Sequence, residues 1–418
     1  GHLDNIYTPR AIGNVMVNGQ IDWISANYNQ AVNLNDNNFD GFAAPIFATG
    51  DIVWAQIGEG IASSGSGEFA HAGLFSEGEI HNVYNNNRGD IRGTVVGEGG
   101  VDRVSLTNGS IINTGIFSIL MEDTLEYSET STARADVGNI TLTGDGGIIG
   151  SLFRALNIGN VRVDNGFGIF NSTFNYMVGG NSTMGNTIAD GFGIRLVDYH
   201  GGADQGNITA TGRGGLASAQ DYSPTVRYSQ TETWLPGTDQ RISRLNDIRT
   251  FLLGSVASTT DRQGMIEDVW AHGAGDLGVV SGYRIRTNQG TFVGSTTFDF
   301  ANSIQGFRTY PIQAGDPATT SIDDVEITTG RLGFFNPAQD VSGLDLTVAG
   351  VIRNMNISGS LLAGSSITAA GPNGNIQRLT IRGDMEGDVT ANGIIGIMQV
   401  FGDMTGNIVV DPMRNVRT

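Results

Sequence analysis

The chain contains no cysteine, and every one of its 23 basic residues is arginine, so lysine is absent as well. Without cysteine there are no disulfides, no thiolate metal sites and no cysteine nucleophile. That absence does not fix the compartment, since many cytosolic chains also lack cysteine, and it points only mildly outward from the cytosol. Only nine prolines occur among 418 residues. No apolar run approaches the roughly 18 residues of a membrane span, and no charged-then-apolar signal opens the sequence. Positive charge is scarce: the net charge is -19, a surface that repels nucleic acid and anionic lipid, so neither nucleic-acid binding nor membrane insertion is expected. No G-x-S-x-G elbow and no P-loop appears.

Glycine is abundant, with 62 residues, and Asn and Thr are frequent. This composition fits a turn-rich β protein without the triplet period of collagen. A short phrase recurs in it: a branched apolar residue, two small or polar residues, two apolar residues spaced two apart, then glycine. It reads IGNVMVNG from Ile12, VDRVSLTNG from Val101, VGNITLTG from Val137, IGNVRVDNG from Ile158 and IDDVEITTG from Ile322. It recurs as IRNMNISG from Ile352, IQRLTIRG from Ile376 and IGIMQVFG from Ile395. Such self-similarity marks a solenoid.

Val15 and Val17 share one strand face, whereas Ile12 lies three residues before Val15, so a corner separates them. The corner is often Gly-Asn, a pair expected to supply left-handed backbone angles. Successive phrases begin 21, 24 and 19 residues apart at Val137–Ile158, Ile352–Ile376 and Ile376–Ile395. That suits one turn of a three-sided coil and is too short for a strand-helix-strand unit. Stacked turns would pair as parallel strands about 4.8 Å apart, with aliphatic ladders inside. The expected fold is therefore all-β, a right-handed parallel β-helix, right-handed because parallel crossovers are.

One elongated solenoid over 1–418 is expected, with insertions near 22–50, 121–136, 217–240 and 283–317. RISRLNDIRTFLLGSV, from Arg241 to Val256, fits either an amphipathic helix or another coil phrase. Tyr222, Tyr228 and Trp234 lie in the third insertion, and Phe292, Phe298, Phe300, Phe307 and Tyr310 in the fourth. The Gly1-His2 start points to a processed chain or a part of a longer one. The last coil phrase carries no polar cap, so the coil is expected to continue or to stack on a neighbour.

Three sets of residues invite a chemical reading. Asp36, Asn38 and Asp40, followed by Gly41, match the opening of a calcium loop, with oxygen ligands at positions one, three and five. The twelfth position is Phe47 rather than Glu, which excludes a full EF-hand and leaves a Ca2+ loop of another kind or a plain Asn/Asp turn. Asp323-Asp324, and Asp268 with His272 and Asp276, are the acidic candidates for catalysis, but the former pair occupies the corner of a repeat phrase and no catalytic residue is expected. The five histidines are scattered without metal-ligand spacing.

The repeat phrases, the Gly/Asn/Thr richness, the missing lysine and cysteine and the acidic charge together resemble bacterial cell-surface β-solenoid proteins: large adhesins, exoprotein repeats and surface-layer components. The resemblance implies an extracellular or cell-surface location and a structural or adhesive role. Its implied partners are further copies, through terminal coils or insertions, and surface polysaccharide. The alternative likeness is to polysaccharide-active β-helices, the pectate lyases, polygalacturonases and phage tailspikes, whose ordered acidic motifs are missing here.

Overall fold

The computed structural model describes all residues except 9–11, 27–41, 43–44, 59, 62–72, 86–88, 113, 120–132, 145, 165, 167, 171, 177–181, 192, 212–263, 288–294, 312–319 and 412–418. Among the described residues there is no helix, and the strands pair in parallel; Ile119 and Ala133 form an isolated antiparallel bridge. Two compact units emerge, the first within Gly1–Gly185 and the second comprising Asn186–Arg213 and Thr260–Thr418. Each is a parallel β-helix.

In the first unit each turn of chain supplies three segments. One face carries His2–Thr8, Gln20–Ala26, Ile52–Gln56, Glu79–Tyr84, Gly100–Thr107, Val137–Thr143 and Val161–Asp164, each hydrogen-bonded to the next. A short second side stacks Ile12, Phe42, Ile61, Ile91, Ile111, Ile148 and Ile169 in one column. The third side runs from Val15–Val17 through Pro45–Ala48, Gly73–Ser76, Thr94–Gly97, Gly115–Phe117 and Leu152–Arg154 to Thr173–Tyr176.

The second unit repeats this plan. Asp276–Gly282, Ser303–Thr309, Leu332–Asn336, Ile352–Ile357, Ile376–Ile381 and Ile395–Val400 form its first face. Val341, Leu361, Met385 and Met404 mark the short side. Met265–Gly273, Thr296–Phe300, Val325–Thr329, Asp345–Val348, Ser366–Ala369, Asp388–Ala391 and Ile408–Val410 make the third, with Gly193–Gly201 beside Met265–Gly273.

The first apolar residue of the repeat phrase points inward: Ile12 is 5% exposed, Val137 1%, Ile322 1% and Ile376 0%. The phrase serves two different faces, however. Val137, Ile352 and Ile376 open strands of the first face, whereas Ile12 and Ile322 precede the turn onto the third side. One pattern serves both because each position needs an inward residue, a corner and an alternating strand.

The Gly-Asn corners differ from the expectation. Neither Gly13, Gly138, Gly159 nor Gly206, nor the asparagine after each, has positive φ. Close stacking requires glycine at two of them: a Cβ on Gly138 would lie 2.0 Å from the Asp102 carbonyl oxygen of the adjacent coil, and one on Gly159 would lie 2.6 Å from the Gly138 carbonyl carbon, whereas a Cβ on Gly13 would meet nothing within 4 Å. The asparagines act as ties, Asn139 Oδ1 accepting hydrogen bonds from Asn160 N at 3.0 Å and Asn160 Nδ2 at 3.1 Å. Asn186 Oδ1 holds Asn207 in the same way, at 3.0 and 2.9 Å. Left-handed angles occur at other bends, among them Leu196, Asp268, Asp324 and Gly343 at the bend onto the third side of the second unit, and Asn108 in the first unit.

Of the stretches read as insertions, residues 22–26 and 45–50 belong to coils, with 27–41 outside the described residues. Between 283 and 317, Arg284–Arg286, Thr296–Phe300 and Ser303–Thr309 are coil strands. Phe298, Phe300 and Phe307 fill the interior there, fully buried, which is why a series of aromatics looked like a departure from the aliphatic phrase. Residues 217–240, the Arg241–Val256 segment and most of 121–136 lie outside the described residues.

Candidate functional site

In the first unit the inward pairs Ile21/Ile24, Ile52/Ala55 and Ile80/Val83 are buried, which leaves the residues between and after them on the outer face. Parallel register then stacks like on like. Asn5, Trp23, Trp54 and Asn82 form one outer column, and Tyr7, Ser25, Gln56 and Tyr84 the next. The rings make a continuous strip: Tyr7 to Trp23 at 6.4 Å, Trp23 to Trp54 at 5.9 Å and near parallel, Trp54 to Tyr84 at 5.8 Å and edge-on. Tyr7 is 52% and Trp54 40% exposed. Contiguous rings left in water forgo burial that the core would have given them, and such patches mark contact surfaces.

Polar groups line the strip. Ser25 Oγ donates to Gln56 Oε1 at 2.8 Å, and the Trp23 indole N–H is shielded from solvent without an acceptor. Beside the rings lie two histidine–carboxylate groups. His2 Nε2 sits 2.9 Å from Asp22 and 3.0 Å from Asp4, and Gln20 Nε2 donates to Asp22 at 2.6 Å. His81 Nδ1 is 2.6 Å from Asp102 and 3.5 Å from Glu79, with Asp51 at 3.9 Å from its other nitrogen. The hydrogen bond to Asp102 holds the His81 imidazolium above its ordinary range; partial burial opposes this, and the charges of Asp102, Glu79 and Asp51 add to it. The face thus combines flat apolar ring surface with many oxygen acceptors: five carboxylates against two imidazoles and Arg103.

The residues singled out from the sequence fall elsewhere. Asp36, Asn38 and Asp40 lie outside the described residues. Asp323 ends a strand and Asp324 occupies the left-handed bend, as befits corner residues. Asp268, His272 and Asp276 sit on different parts of the coil. Asp268 is buried at the left-handed bend, and His272 is on the outer face of the third side. Asp276 opens a strand of another face, its carboxylate accepting from Asn302 and Ser303 at 2.7 and 2.6 Å.

The aromatic strip was missed because each tryptophan stands alone in its phrase. Its signal is the pair IDWIS (Ile21–Ser25) and IVWAQ (Ile52–Gln56), aligned residue for residue in the sheet. The histidines are not all scattered: His200 and His272, 72 residues apart, are direct partners on adjacent strands. VDYHG and VWAHG carried that signal. Comparison with family models, curated proteins and solved structures gives no match to this chain.

Proposed function

We propose that this protein is an extracellular structural or adhesive β-solenoid that binds neutral polysaccharide along the Tyr7–Trp23–Trp54–Tyr84 strip. The carrying observation is the four-ring row itself, exposed at Tyr7 and Trp54, partly buried at Trp23 and Tyr84, and bordered by amides and carboxylates. Sugar C–H groups bear partial positive charge and lie favourably against the electron-rich faces of Trp and Tyr. Carboxylate and amide oxygens accept hydrogen bonds from the hydroxyls of the same ring. The surplus of carboxylates beside the strip disfavours uronic or sulfated chains, so a neutral glycan is the ligand class. A platform repeating at strand spacing suits an extended polymer better than a small molecule, and aromatic anchors of this type dominate binding energy.

Affinity electrophoresis through gels containing neutral glucans, mannans or chitin-derived polymers tests this. Retardation is expected for the wild type, and Trp54→Ala should weaken it by about 10-fold or more, equivalent to ~1.4 kcal/mol. Trp54→Tyr, which keeps a ring, should retain most of the binding. Migration unaffected by every neutral glycan, or equal retardation of Trp54→Ala, would remove the reading.

A second role, self-association, is favoured by the last described coil of the second unit. Met385 and Val389 are fully buried, but their ladder partners Met404 and Ile408 are 56% and 38% exposed, and Phe401 is 70% exposed. Apolar columns open at the last described coil take as cover either a further coil of the same chain or a second copy, and self-association is the second case. Sedimentation velocity should show concentration-dependent association that Met404→Glu reduces; a single monomeric species throughout would refute it.

A further inference from the structure

The third side of the second unit gathers a different set of groups. Along Gly193–Gly201, Val197 and Tyr199 are buried, so Asp198 and His200 stand two apart on the outer face. Along Met265–Gly273, Val269 and Ala271 are buried and Trp270 and His272 face out. The register sets His200 directly opposite His272. One ligand atom from each of Asp198, His200 and His272 lies within 4.8 Å of the others. The imidazoles meet edge to face with centroids 4.3 Å apart.

We infer that Asp198, His200 and His272 form a binding site for a first-row divalent transition metal of the Zn2+ type. The second observation is a pair of orphaned atoms: Asp198 Oδ1 and His272 Nδ1 are both shielded from solvent, and neither has a hydrogen-bond partner. Buried polar atoms without partners are rare because each forfeits its hydration. An ion placed among the three side chains satisfies both. Ligands of a tetrahedral ion with bonds near 2.0–2.1 Å lie roughly 3.3 Å apart, a separation that small side-chain rotations reach from the present one.

Two imidazoles with one carboxylate suit Zn2+, Co2+, Ni2+ or Fe2+, whereas Ca2+ and Mg2+ take all-oxygen sets. Three protein ligands leave a coordination position open. The other two histidine–carboxylate groups differ, since each holds a single imidazole already engaged by carboxylates.

Trp270, whose ring centroid is 4.5 Å from His272 and 6.0 Å from His200, provides the optical readout. Chelator-treated full-length protein, titrated calorimetrically with Zn2+, should show one saturable site. Co2+ should give the visible absorption of a low-symmetry N/O site and quench Trp270, the quench vanishing in Trp270→Phe while calorimetric binding persists. His200→Ala and His272→Ala should each weaken Zn2+ by more than ~10-fold, the loss that removal of even an outer partner brings. Asp345→Asn, an acidic change on the same outer face, should leave it unaltered. Far-UV circular dichroism in the absence of metal checks that these outward-facing variants remain folded. No saturable Zn2+ or Co2+ binding, or binding undiminished in the folded histidine variants, would overturn the site.

Discussion

Replacing Glu267 by alanine is expected to destabilise the second unit by about 3–5 kcal/mol, the loss that follows removal of one partner from a buried ion pair. Arg195 and Glu267 face each other on paired strands, each with only 2% of its side chain exposed, and Arg195 Nη2 donates to Glu267 Oε1. Arg286, the partner of Glu267 on the strand beyond, donates from Nε to Oε2 at 2.7 Å. The carboxylate therefore bridges two guanidinium groups. Removing it takes from the buried Arg195 guanidinium the carboxylate it donates to, whereas replacing all three by apolar residues of similar volume should recover most of the stability. Urea unfolding followed by Trp270 fluorescence separates the outcomes: a Glu267→Ala loss below about 1 kcal/mol would show that water reaches the cluster and screens it.

The same site gives a pH dependence of definite sign. Burial alone would raise the Glu267 pKa, but the charges of Arg195 and Arg286, with their hydrogen bonds, outweigh it and hold the group below its ordinary value. A carboxylate depressed on folding contributes stability that is fully present above its unfolded pKa and is lost as pH falls through the folded one. The gap between wild type and Glu267→Gln should therefore be widest near neutrality and narrow below the ordinary carboxylate range. A gap that stays constant down to strong acid would assign the cost to packing alone.

Phe307→Ala is expected to cost about 3–5 kcal/mol, the range for emptying a buried aromatic site. Phe307 is fully buried, with Phe298 at 5.1 Å and Phe335 at 6.1 Å between ring centroids. It stands in the column Val280, Phe307, Phe335, Met355, Leu379. Because coils contact chiefly their neighbours, the loss is local in origin. Hydrogen exchange should accelerate first in Asp276–Gly282, Ser303–Thr309 and Leu332–Asn336, with Ile376–Ile381 following later. Thr347→Ala, on the outer face, should stay within ~0.5 kcal/mol of wild type. Uniform acceleration throughout the unit would instead mean that the coils unfold as one cooperative body.

Particular residues show how far the sequence could be read. Val137, Ile140 and Leu142 announced an inward-facing strand with a corner because alternation and burial are local properties that a single phrase carries. The Gly-Asn corners were visible, but not their purpose. That Gly138 must lack a Cβ depends on Asp102 in the adjacent coil, 36 positions earlier in the chain, and no local backbone preference records it. Phe298 and Phe307 were mistaken for a departure from the coil because an aromatic interior breaks the aliphatic pattern while filling the same space.

The repeat period, the parallel coil and the acidic, cysteine-free character follow from the amino-acid order alone, since each depends on residues within a turn or so of one another. Which turns become neighbours was decided only in the tertiary structure. Trp23 meets Trp54 across 31 positions, and His200 meets His272 across 72. The physical reason is register: main-chain hydrogen bonds between coils fix which outer side chains stack, whatever length of chain separates them, and a surface site in a solenoid exists only through that stacking.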